Sequence, residues 1–567
     1  MKAILATIIA ASLSVGCSML EGEQTTTESG SSSSTTATAK DTPNATPQPI
    51  TFVEVIEPTV YYDCHEGAES PKRSVLSEHA VWSRNVTNCD GSGWVSYETT
   101  DENGNLYFMM DGSGPTNTKI VKLNNNGSEQ WRQEISSDFG TSGGWNTNRL
   151  VVDTQGNIYG IASESHHYGH SSSDNQTIKR TLFKYSSAGV EQWSVEDTYT
   201  VEAGSYSYGH NPLEAFVDSN GNFYTSRKNH VEIYYSDNGS YDRYQQTIID
   251  KYSSSTGEKL WRKEFVSDNT YYHHSTDVVF ENSGGFYMRT QEDVYDNDSM
   301  IYDTEHKIVK YNNDGVEQWS KSINNYDSMN SLTVDGDSVY FIEDMDYGSK
   351  LVKYSHAGVA QWKNSIPHIY GEIRLAQDGS VYLSTGYRIT KYSSAGSVLW
   401  TKEAGVDSHR IQIDRNGNVY GSHEGRKYYD NGTLKSIQPT LTKYNSSNGF
   451  EQWKLDVMDV TIDVSAYDHI SSWSDSIIDA SGNVFVRSHV HGYTSGSTSG
   501  DENHFDQTVF AKYSSDGTKL WEEKSSLWGG LIPSPNGEVY LFDEQHSNFD
   551  SMGYPMGPTA KFYLKLR

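Results

Sequence analysis

The sequence predicts an all-β protein: a closed β-propeller of four-stranded antiparallel blades. Three observations carry this expectation. A segment of the form Lys251-Tyr252-Ser253-Ser254-Ser255-Thr256-Gly257-Glu258-Lys259-Leu260-Trp261 recurs along the chain, closing at Trp131, Trp193, Trp261, Trp319, Trp362, Trp400, Trp453 and Trp521. A turn of the form Asp153-Thr154-Gln155-Gly156-Asn157 precedes each copy. Between these turns apolar and polar residues alternate with the period of strands, not helices.

The second unit shows the pattern. Arg149 to Val152 is a short apolar strand, Asp153 to Asn157 a turn, and Ile158 to Ile161 a second strand. A polar excursion follows, then Thr181 to Tyr185, a turn at Ser186 to Gly189, and a fourth strand carrying Trp193. In the Asp-x-x-Gly turns the aspartate can accept bonds from amides two or three residues on. The glycine takes the left-handed conformation. Asp101/Gly104, Asp218/Gly221, Asp414/Gly417 and Asp479/Gly482 repeat this device. These turns lack the alternating oxygen ligands and distal glutamate of an EF-hand.

Units begin near residues 93, 148, 213, 275, 331, 372, 410, 475 and 529, which makes nine. The alternative is eight blades, with 372–404 not a separate unit. The ninth unit ends before its tryptophan strand, and the missing strand stands at the other end of the chain, around Trp82. The amino-terminal strand is therefore expected to complete the last blade and remove a free edge. The propeller is assigned to 78–567.

Composition agrees. Hydrophobic residues are only 35% of 567, but 40 tyrosines and 13 tryptophans supply core area. The net charge of -30 repels phosphate backbones, so nucleic acid is not expected as a partner. Residues 1–17 read as an export signal, an apolar run from Ala3 to Val15 too short for a good membrane span. Residues 18–50 are Ser/Thr-rich and read as a flexible tether, and 51–77 as an ordered strap. Cys64 and Cys89 form the one remaining cysteine pair, read as a disulfide that braces the seam, with two free thiols as the alternative.

Two resemblances follow from these residues. Leu13-Ser14-Val15-Gly16-Cys17 resembles a bacterial lipoprotein signal, with the leucine four residues before the cysteine where the usual pattern has three. It implies cleavage after Gly16, lipidation of Cys17 and anchoring in the lipid bilayer; Ser18 implies the outer membrane. The Lys-Tyr-Ser to Trp element resembles the tryptophan-docking repeat of quinoprotein-type, or PQQ-like, propellers. Residues 251–261 match its turn, tryptophan and spacing; most other copies are one residue shorter, and serine replaces its aspartate. The resemblance implies that Trp82 and the eight tryptophans above pack between neighbouring blades. The adjacent cysteines of quinoprotein dehydrogenases are missing, so no catalytic residue is carried over.

Strand order places all first-to-second and third-to-fourth turns on one plain face. Second-to-third excursions and blade connections fall on the other, variable face. Most histidines fall there, with His356 in a plain-face turn. Three readings stand: solvated polar loops, a glycan- or protein-binding surface, and a transition-metal site. Binding candidates are His210, Tyr271, Tyr272, His273, His274, His368, His409 and His469. Metal candidates are His166, His167, His170, His489 and His491. No cofactor is required by the sequence; calcium or a transition metal are the ions such loops could take. The expected function is an envelope-anchored binding or scaffold protein. The rival is a quinone- or metal-dependent oxidoreductase with its cofactor in the funnel.

Overall fold

The computed structural model describes residues 76, 79–86, 95–110, 118–135, 149–163, 176–201, 205–207, 211–235, 240–268, 278–296, 301–323, 332–343, 348–367, 371–385, 388–403, 411–423, 426–428, 434–458, 469–493, 504–525, 528–549 and 555–567. All belong to the unit Val55–Arg567. They form nine antiparallel blades arranged as a β-propeller. Successive blades meet through their innermost strands, those of blades 3 and 4 through Phe216 stacked on Phe280, and the innermost strand of blade 9 meets that of blade 1. Strands Glu372–Leu375, Val381–Thr385, Arg388–Tyr392 and Val398–Glu403 make a sheet of their own, so the short unit is a full blade and the eight-blade alternative is excluded. Blade 3 carries an extra strand, Ser205–Ser207, and Arg426–Tyr428 pairs with Leu434–Ile437 as a small hairpin within blade 7.

The ring closes as the repeat pattern requires. Ala80–Asn85 pairs antiparallel with Pro555–Leu566, bringing Ser83 opposite Leu564 and Arg84 opposite Tyr563. Trp82 then docks onto blade 1. Its indole donates to Asn125 O at 2.8 Å. Gly127, at φ 78°, lies flat under the ring; a Cβ there would stand 2.5 Å from it. Only glycine satisfies both the conformation and the approach. Arg84 donates to Gly127 O, and Tyr540 to Gly104 O.

The same joint recurs around the ring. Trp131 donates to Ser187 O, Trp193 to Ser254 O, Trp261 to Asn313 O and Trp319 to His356 O. Trp362, Trp400 and Trp453 donate to Ser394 O, Ser446 O and Ser515 O, and Trp521 reaches Arg567 O. A lysine of the third strand shares several of these carbonyls: Lys122 with Ser187 O at 2.9 Å, and Lys443 with Ser515 O at 2.7 Å. Each such ammonium sits above a buried second-strand tyrosine, as Lys184 does over Tyr159 at 4.8 Å. In blades 1, 2, 3, 5 and 7 that tyrosine in turn donates to the aspartate of its turn, as Tyr107 does to Asp101. Tyr382 of blade 6 instead donates to Gly417 O of the next blade. Asp101 also accepts from the amides of Asn103 and Asn105. The recurring turn therefore feeds directly into the blade junction.

Replacing Trp82 by alanine removes the indole from the closing seam. An expected loss of about 3–5 kcal/mol in chemical denaturation follows from large-to-small substitution in a packed site. The loss should match that of Trp193→Ala within a factor of two; a loss under about 1 kcal/mol would mean that the seam does not hold the ring.

Candidate functional site

The two faces differ as their connections do. On the plain face the described turns close tightly, and in all but the two-residue turn at Gly336 a glycine amide returns to the carbonyl that opens the turn, as Gly156 does to Asp153 O at 2.9 Å. On the variable face, second and third strands run on as projecting hairpins. Phe223–Tyr235 pairs with Ser240–Tyr252 through 13 residues, whereas the matching strands of blade 6 have 5. At about 3.3 Å per residue the difference carries the blade 3 hairpin roughly 25 Å farther. Blades 4, 8 and 9 are extended in the same way, with second strands of 11, 10 and 11 residues.

This revises the expectation that the histidines ride on loops. His423 and His306 lie within strands and are buried. His489 and His491 lie on Val484–Tyr493, opposite Thr508 and Asp506, and His469 opens the neighbouring strand opposite Tyr493. The excursions alternate side-chain types with period two, so they continue the ladder instead of leaving it. Blade 8 consequently begins at His469, six residues before the expected start. His166, His167, His170, His210, Tyr271, Tyr272, His273, His274, His368 and His409 lie outside the described residues, as do Cys17, Cys64 and Cys89.

Blade 8 presents an aromatic and cationic tier toward blade 9. The Arg487 guanidinium sits 4.0 Å over Trp473. His489 stacks beside that indole at 5.3 Å, and His491 stacks on His489 at 6.4 Å. His489 Nδ1 and Thr508 Oγ1 are 3.0 Å apart. Burial pulls Arg487 down to about 10 against the opposing effect of Asp475, and its Nε has no acceptor. The tier suits an anionic or flat ligand group. Among the described residues, no group of three or more His, Cys, Asp or Glu gathers into a metal site. Trp473 and Arg487 were not singled out from sequence. The alternation around His489 and His491 was the signal that could have found them.

A second irregularity lies on the innermost strand of blade 1. The register shifts between Ser96 and Thr99, and Tyr97 takes φ 54°. Such a bulge re-aims side chains. The Arg149 guanidinium covers the Tyr97 ring at 4.1 Å. Glu98 is turned inward, where burial raises its carboxyl above the ordinary glutamate range. Tyr563 of the closing blade is held far above its usual value by burial and by Glu98, and its hydroxyl has no partner. A carboxyl raised in the folded state favours the protonated native form. Its stabilising contribution is complete below the ordinary glutamate pKa and is lost as pH rises through the folded value. Glu98→Gln should therefore match wild type in acid and become the more stable of the two above that window. Denaturation midpoints at stepped pH read this; parallel profiles would contradict it.

No family model matches the chain, and no curated protein matches it. Among solved structures it is similar to a eukaryotic initiation factor, at 8% identity and TM-score 0.44, over 77% of this chain and 89% of that one. It is also similar to the β-propeller domain of the Trilobed protease from Pyrococcus furiosus, at 11% identity and TM-score 0.28, over 65% of this chain and 98% of that one. A third is prolyl oligopeptidase B from Galerina marginata, at 10% identity and TM-score 0.32, over 71% of this chain and 55% of that one. At these identities a likeness bears on fold alone. The propeller itself rests on the sheets described above.

Proposed function

We propose that this chain is a binding or scaffold lipoprotein of the bacterial envelope, recognising a glycan or protein partner through the variable face of its propeller. The observation that carries this reading is the asymmetry between the faces. One side closes every described blade with tight turns, while the other projects hairpins whose strands reach 13 residues. Binding surfaces are commonly carried by such variable extensions on a rigid scaffold. The projecting segments hold Tyr234, Tyr235, Tyr241 and Tyr244, and the sequence just before blade 4 holds Tyr271, Tyr272, His273 and His274. Tyrosine supplies contact area at low entropic cost in recognition surfaces.

The anchor belongs to the same proposal. Lipidation of Cys17 would tie the chain to the outer membrane, with 18–50 as tether and 51–77, braced by a Cys64–Cys89 disulfide, as strap. The repeat is read as a PQQ-like docking repeat on the spacing of residues 251–261. Every junction described uses its tryptophan structurally, and this supports membership without implying a quinone.

The test is capture of glycans and envelope proteins on immobilised propeller. Replacing Tyr271, Tyr272, His273 and His274 together by alanine should lower the affinity for the captured partner by at least about tenfold, the loss of about 1.4 kcal/mol expected when interface anchors are truncated. Unchanged capture would remove this patch from the binding face. A visible chromophore or stoichiometric transition metal in natively purified protein would favour the oxidoreductase instead.

A further inference from the structure

The repeat supplies its own control, because equivalent positions show what each residue does when it serves only the fold. Blade 4 breaks the pattern at three points that meet in one cleft. The turn aspartate becomes Glu281, the asparagine that normally binds it becomes Gly285, and the facing turn of blade 5 carries His356 where blades 2, 3, 6, 7 and 8 carry serine. In blade 1, Asp101 accepts from the amides of Asn103 and Asn105 and from the Asn105 side chain. Glu281 makes none of these bonds. Its carboxylate fills the place of the missing asparagine: a Cβ on Gly285 would stand 2.8 Å from Oε2. There it accepts from Lys310 at 2.8 Å and from Ser283 at 3.3 Å.

Lys310 is displaced as well. In blades 1, 2, 3, 5, 6 and 7 the equivalent lysine donates to a carbonyl of the next blade's turn. Lys310 instead donates to Glu281 and to the Tyr287 hydroxyl, leaving His356 O to Trp319. His356 Nε2 is buried, 3.2 Å from Glu281 Oε1, yet in no position to make a hydrogen bond. Glu281, Lys310, His356, Asn312, Gln318 and the Trp319 indole line an open cleft of about 420 Å3 on the plain face. This lies within the roughly 300–1,000 Å3 range of small-molecule sites.

We propose that this cleft binds a neutral, polyhydroxylated small molecule of monosaccharide size. Glu281 and Lys310 neutralise each other, so no net charge is left over to hold an ion. The wall alternates acceptors and donors: a carboxylate, a serine hydroxyl, three side-chain amides and an imidazole beside the carboxylate. A ring bearing vicinal hydroxyls donates and accepts at neighbouring atoms and satisfies such a wall, with the Trp319 indole among the lining groups. This site is distinct from the variable face and stands or falls independently of it.

The test is isothermal titration of the full propeller with D-glucose and N-acetyl-D-glucosamine, and with inorganic phosphate as the ionic counterpart. The variant Glu281→Asp/Gly285→Asn/His356→Ser restores at all three positions the residues that other blades carry, so its thermal midpoint should hold. Saturable sugar binding in wild type, weakened at least tenfold in this variant and retained when Tyr271, Tyr272, His273 and His274 are alanine, is the expected result. Absence of saturable binding by either sugar, binding by phosphate alone, or sugar binding unchanged in the restored variant would each overturn the proposal. Should the triple variant lose its fold, His356→Ser at the partly exposed rim gives the same reading: several-fold weakening supports the site, and unchanged binding overturns it.

Discussion

One joint repeated around the ring holds this molecule: an indole N–H of one blade meets a turn carbonyl of the next, and in six blades a lysine ammonium converges on the same carbonyl. The lysine is costly to place there. Burial holds Lys122, Lys184 and Lys443 below the ordinary lysine range. The carbonyl, the tyrosine face beneath and the turn aspartate offset that cost. Removing one partner leaves a buried charge or carbonyl without its bond, so the joint resists piecemeal loss. Because each blade both gives and receives, the ring is sound only if the last blade finds the first. Trp82 and Asn125 make that final joint.

The account of the fold was largely legible in the sequence because its causes are local and repeated. A glycine that must sit left-handed beneath an indole leaves the same mark each time, and so does an aspartate that caps its own turn. Blade starts could therefore be placed within a few residues. The lysine before the tyrosine was visible in the motif, but its destination was not, since its acceptor lies in the following blade. Strand extension was also missed. The excursions of blades 3, 4, 8 and 9 read as polar loops, yet their alternation was enough to continue the ladder once a partner strand lay alongside.

The candidate sites were less legible, for a physical reason. Arg487 meets Trp473 across strands, and Glu281 meets His356 across blades; neither pairing leaves a spacing in the chain. His356 was noted as a histidine set apart from the others on the plain face. What gave it meaning was the simultaneous loss of the aspartate and asparagine of the facing turn. In a repeat protein, a coordinated set of departures is more informative than any residue type, because the intact copies state the structural role against which the departure is measured. The proposed plain-face site and the recognition surface proposed for the projecting hairpins thus lie on opposite faces of the ring.

The central claim is that head and tail share one sheet. Amide hydrogen exchange read by mass spectrometry tests it most directly. The account predicts that the peptide containing residues 80–85 exchanges as slowly as the one containing 562–566, with both released in a single step as denaturant is added. Exchange of 80–85 at the rate of an unstructured chain, while 562–566 remains protected, would contradict the closed ring.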